Sequence, residues 1–146
     1  MAIHINNMKD LEKALMPTMA KMVDTLAERV YETLNYFLQE YYDDYDPKSY
    51  RRQHDFLRSA VKVESKIKGN KAVATVFIDT DSMDNYYNAT GEQVAKWANQ
   101  GTHGGLVTGS KTPHVWDDTL DETVNNGELL KLAVEYLKSK GISVRT

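Results

Sequence analysis

The sequence contains no cysteine, so disulfides and thiolate metal sites are both excluded. Proline occurs three times, leaving room for long uninterrupted helices. No apolar run approaches the roughly 20 residues that a membrane-spanning helix needs. The opening stretch MAIHINNMKD lacks the charged-then-apolar form of a signal peptide, so synthesis and folding are expected in a cytoplasm. There is no net basic excess: 18 Lys and Arg stand against 21 Asp and Glu, a formal charge of −3. A generally basic nucleic-acid binder is therefore not indicated.

What is present is the make-up of one ordinary globular domain, spanning residues 1–146, with enough apolar residues for one core. The charge is unevenly spread. Residues 40–46 read EYYDDYD. Residues 48–71 are rich in Lys and Arg, and acids return at Asp79, Asp81, Asp84, Asp117, Asp118, Asp121 and Glu122. Such a pattern is either plain solvated surface or a pair of faces that meet on neighbouring copies.

Hydrophobic spacing gives the elements. Ala2 to Ile5 is read as a short opening strand. Leu11, Leu15, Met19, Met22, Leu26, Val30, Leu34, Leu38 and Tyr41 recur at steps of three or four, the stripe of an amphipathic helix. Pro17 either opens this helix or kinks a longer one. Over residues 18–42 the helix would be about 37 Å long, so one end should project past the core. Asp46-Pro47 stops it. Two antiparallel strands, 60–67 and 72–79, flank the Gly69-Asn70 turn. Alternation along the first places Val61, Val63, Ser65 and Ile67 on one face. The second is apolar on both faces, which predicts a doubly covered central strand.

Thr90 is a candidate N-cap for a helix from Gly91 to Asn99, closed by Gly101. Residues 101–114 form a glycine-rich loop. From Val115 a helix is expected, broken near Asn126-Gly127 and ended by Gly141, with Ile142 to Val144 adding an edge strand. The expected fold is α+β: a small antiparallel sheet packed by the long N-terminal helix and a C-terminal helix. Phe77, Val63, Leu26, Val30 and Leu137 are expected to be buried.

No compact motif for catalysis or metal binding is found. His4, His54, His103 and His114 have no metal-ligand spacing, and the bland reading of His103 is a bond to a backbone carbonyl. Asp79-x-Asp81 after a strand is the most suggestive acidic arrangement; with His103 it gives the alternative of a small metal-dependent nuclease. It is also what an ordinary strand end looks like. GTHGG at 101–105 follows a helix, the wrong context for a phosphate loop. No catalytic, cofactor or metal residues are assigned.

The aromatic residues Tyr31, Tyr36, Phe37, Tyr41, Tyr42, Tyr45 and Tyr50 crowd into a short stretch. Some must be core, but Tyr41, Tyr42 and Tyr45 sit at the helix end beside acids, where a small core cannot cover them all, so they mark either an interface or a solvated amphipathic terminus. Arg and aromatic side chains dominate interface energetics, and in irregular segments a core role is less expected. The candidate interface is therefore Tyr45, Tyr50, Arg51 and Arg52 with Thr102, His103 and Trp116. The bland reading is a core Trp116 and an ion-paired Arg52.

The order of these features resembles a known family. A helix ends in Tyr41-Tyr42-x-x-Tyr45-x-Pro47-x-x-Tyr50-x-Arg52, with Leu57 and Ser59 leading into a hairpin. A short helix follows, ending in Gln100-Gly101-Thr102-His103-Gly104, then a Trp116 segment and a C-terminal helix. This is similar to the neck and tail-completion proteins of long-tailed phages, the lambda gpZ-like minor capsid or head–tail joining proteins, in the form found in phages of Gram-positive hosts. Many members carry Pro-x-x-Thr-Gly-x-Leu-x-x-Ser, where this chain has Pro47, Tyr50, Arg52, Leu57 and Ser59 without the Thr-Gly. The resemblance implies a non-enzymatic virion protein assembled in the host cytoplasm. It would form a homo-oligomeric ring between the head connector and the tail terminator, with room for DNA passage, no specific nucleic-acid binding and no membrane or cofactor. A host-protein-binding inhibitor is a further alternative.

Overall fold

The computed structural model describes residues 4–44, 56–83, 89–103, 105–106 and 111–145. Helix α1 runs Met8–Asp43, 36 residues and about 54 Å. Asn7 caps it, its Oδ1 accepting from Asp10 N at 2.9 Å. The helix passes through Pro17, so the proline lies inside a longer helix and leaves the Lys13 carbonyl without its usual amide partner. Residues 4–6 are irregular, so no opening strand forms over their part of 2–5.

Strands β1 (Ala60–Lys68) and β2 (Lys71–Ile78) form a two-stranded antiparallel hairpin around Gly69, whose φ of +62° the tight turn requires. A 3₁₀ turn, Thr80–Ser82, follows. Helix α2 is Gly91–Asn99, with the Thr90 hydroxyl accepting from Gln93 N. Helix α3 is Val115–Leu120, continued by a π-helical turn at Asp121–Asn125. The chain breaks at Gly127 and resumes as α4, Glu128–Ser139. Gly141, at φ +78°, ends α4 with Ile142 N bonded to the Leu137 carbonyl. Residues 142–145 form no strand.

This is the expected α+β class, with the long N-terminal helix as its spine. The hairpin, α3, the π turn and α4 all pack against α1, the hairpin and α4 on either side of its Asp24–Glu32 stretch. The core gathers Leu34, Leu38, Tyr41 and Tyr42 of α1 with Phe56, Ala60, Met83, Ala98 and Val115. It sits on the C-terminal half of α1; before Met22 no helix residue is buried, so the N-terminal end projects.

The expected core residues are corrected accordingly. Leu26, Val30 and Leu137 are half-buried and lie outside the cluster that the C-terminal half of α1 forms with Phe56, Ala60, Met83, Ala98 and Val115. Val63 and Phe77 are 37% and 38% exposed. For Val63 the cause is a β-bulge in β1; Phe77 is exposed because it lies on the uncovered face of β2. The pairing runs Val61↔Phe77 and Val63↔Thr75, then shifts to Lys66↔Val73 and Lys68↔Lys71. One extra β1 residue between Val63 and Lys66 reverses the side that the rest of the strand presents. Ser65 and Ile67 thus join Lys62 on the α1 side, opposite to Val61 and Val63. β2 is covered on one face only: Ala74, Val76 and Ile78 turn toward α1, while Val73, Thr75 and Phe77 stand outside.

Two side-chain ties hold the hairpin to α1. Asp24 accepts from Ser65 through both carboxylate oxygens, from the amide at 2.6 Å and the hydroxyl at 2.7 Å. Lys62 is ion-paired with Glu28. The hydrogen bond that Lys62 donates to Glu28 raises the Lys62 pKa above its ordinary value; desolvation opposes this, and Glu28, Glu64 and Asp24 add attraction.

Candidate functional site

The residues singled out in the sequence divide into three groups. Tyr45, Tyr50, Arg51 and Arg52 lie outside the described residues. Thr102 and His103 are brought together against the end of α1. Trp116 is half-buried beside the core, attached to the end of α2.

The α1 end is built by its aromatic pair. Tyr41 and Tyr42 are both buried, and Phe56 packs edge-on to Tyr41 and roughly parallel to Tyr42. The Tyr41 hydroxyl donates to the Thr102 carbonyl at 2.5 Å, and Tyr42 accepts from Leu57 N at 3.2 Å. Asp44, the C-cap residue, sends Oδ2 to two partners. His103 Nε2 lies 3.2 Å away, and the Thr112 hydroxyl donates from 2.5 Å. The His103 side chain is only 8% exposed. Both sides of the loop are thereby fastened to one carboxylate at the end of α1.

The loop is also tied to itself. His103 and Leu106 exchange both backbone bonds, at 2.9 and 3.1 Å. The Thr102 amide and hydroxyl both donate to the Trp97 carbonyl. Asn99 is a site residue that sequence reading missed. Its Oδ1 accepts from Trp116 N at 3.0 Å and Asp117 N at 2.8 Å, capping α3 from another element. Its carbonyl accepts from His114 Nδ1 at 3.0 Å. No local motif marks such a cap, because the helix it serves lies 17 residues away.

Chemically, the cluster is a fastening. In a nucleophile–His–Asp relay the hydroxyl bonds to the imidazole; here the Thr112 hydroxyl and the imidazole meet at the same carboxylate oxygen. Asp79 caps the 3₁₀ turn, accepting from Ser82 N, and His103 is committed to Asp44. Among the described residues, no group of three or more His, Cys, Asp or Glu could hold a metal ion. An open cleft between α1 and α4 is lined by Asp24, Thr25, Glu28, Arg29, Glu32 and Leu132. Among the described residues, no helix is long and apolar enough to cross a membrane.

The second surface with functional character is the outer face of the hairpin. Val63, Val73 and Phe77 are exposed there, beside half-buried Val61.

These features define a helix-spined α+β domain with a fastened loop and an uncovered strand face. The family model described as YomN matches residues 7–139, and the chain belongs to that family. No curated protein and no solved structure matches it.

Proposed function

We propose that this chain is a non-enzymatic virion structural protein of the phage head–tail junction, forming or completing a ring between connector and tail terminator. The observation that carries this reading is the outer face of the hairpin. A chain that works alone gains by covering Val63, Val73 and Phe77, whereas a subunit keeps such residues for its neighbours. The resemblance of the connector and the Gly-Thr-His-Gly loop to tail-completion proteins, and a phage-derived family, support the same reading.

The test is complementation of a phage from which this gene is deleted. Without it, unjoined heads and tails, or particles that leak DNA, are expected, and the wild-type gene should restore joining. Phe77→Lys, on the outer face, should leave the isolated protein folded and fail to restore joining. Normal infectious particles from the deletion phage would overturn the proposal.

A further inference from the structure

The outer hairpin face has two ends of different chemistry. Facing pairs in the ladder share a side. The register therefore places Val61, Val63, Thr75 and Phe77 at one end and Lys68 and Lys71 at the other, with the facing pair Val73 and Lys66 between them. None of these residues is acidic, and all three lysines are exposed. The α3–α4 region, Val115–Ser139, has an acidic excess, with six carboxylates against Lys131 and Lys138. Asp117, Asp121 and Glu122 are exposed there, and Val124 and Leu130 are 51% and 65% exposed. Both regions flank the same stretch of α1, where Asp24 and Glu28 tie the hairpin and also line the cleft to Leu132, and the outer hairpin face is turned away from α1.

We infer that the outer face of the hairpin docks a second copy of this chain, which presents its acidic α3–α4 surface. This rests on the reading of the chain as a ring subunit and names the surfaces that the subunits share. Charge selects the occupant. Two hairpin faces meeting each other would set the three lysines of each copy against those of the other, with only Glu64 of the bulge to offset them. Lysine against Asp121 and Glu122, with the apolar residues of each side in contact, satisfies both. The contact is head-to-tail, and such contacts close into rings or extend as filaments. The strand face measures about 26 Å by 10 Å. That is well under the roughly 800 Å² per partner of a standard interface. A single pair is therefore weak, and ring closure supplies the missing stability.

The absence of cysteine makes the test clean. Thr75→Cys and Val124→Cys, both at exposed positions, are prepared separately in the full chain. Each alone, and the two mixed, are treated with a short bismaleimide, in concentrated solution and in particles complemented by both genes. Links between the two variants are expected to exceed self-links of either by at least about tenfold, and to weaken as salt screens the charges. Lys68→Glu with Lys71→Glu should suppress them, and Asp121→Lys with Glu122→Lys in the same chain should restore them. Predominant Thr75→Cys self-links, or no links in solution or in particles, would overturn the inference. So would particles in which Thr75→Cys links only to another protein, an outcome that leaves the proposed function standing. Head-to-tail links in solution from a protein absent from particles would leave the inference and remove the proposed function.

Discussion

The Tyr41 ring lies on the His103 imidazole, with centroids 4.1 Å apart and 14° between the planes. Through this contact the last full turn of α1 holds the glycine-rich loop. The two residues also share the loop by other bonds, Tyr41 through the Thr102 carbonyl and His103 through Asp44. Tyr41→Phe keeps the stack and removes the hydroxyl bond, so it should cost about 1 kcal/mol. Tyr41→Ala removes a buried ring and should cost about 3–5 kcal/mol. Urea unfolding of the two variants measures the difference. Equal losses would mean that the ring contributes nothing beyond its hydroxyl.

The position of the core gives a contrast between residues of similar apolar character. Leu38 is fully buried, while Phe77 stands on the outer hairpin face. Leu38→Ala should destabilise by about 2–5 kcal/mol. Phe77→Ser, at a residue 38% exposed, should cost less than Leu38→Ala. Paired melts settle it, and a larger loss from Phe77→Ser would show that the outer face is covered within the chain.

Gly91 opens α2 against the 3₁₀ turn. A Cβ there would stand 2.3 Å from the Thr80 carbonyl oxygen, a backbone atom that cannot swing aside. Gly91→Ala should therefore force α2 and the turn apart and destabilise by about 1–3 kcal/mol. Gly127→Ala has space for its Cβ and only the backbone strain of φ +79°. A smaller loss at Gly91 than at Gly127 in thermal melts would contradict the close approach.

Asn99→Ala should loosen α3, since the caps of Trp116 N and Asp117 N both depend on its side chain. Loss of a cap of this kind costs about 1–2 kcal/mol. Trp116 reports it: its fluorescence and near-ultraviolet dichroism should change in the folded variant. Unchanged spectra and stability would mean that α3 does not need the cap.

The Lys62–Glu28 tie sets a pH dependence at the alkaline side. The folded-state pKa of Lys62 is raised, so the lysine holds its proton more tightly in the folded chain than in the unfolded one. Its contribution is fully present below the unfolded value and is lost as pH rises through the folded one. Glu28→Gln should lower the melting temperature at neutral pH, with the gap to wild type closing in strongly alkaline buffer. A gap that stays constant across that range would exclude this pair as the cause.

Local chemistry alone determined much of this protein. The stripe from Leu11 to Tyr41, the Gly69-Asn70 turn, the Thr90 cap and the breaks at Gly127 and Gly141 all rest on neighbours within a few residues, where spacing and backbone preference decide. The start of α1 also has a local cause, the Asn7 cap, although Pro17 hid it. Tertiary structure decided the rest. The bulge that turns Ser65 toward Asp24 and leaves Val63 outside depends on the pairing register, and alternation along β1 by itself puts both on one side. His103 reads as a loop residue open to a partner, but Tyr41 and Asp44, some 60 positions earlier, draw it into the fold. Asn99 caps a helix in another part of the chain. Each of these is set by contacts between residues far apart in sequence, which exist only once α1, the hairpin and the loop have come together.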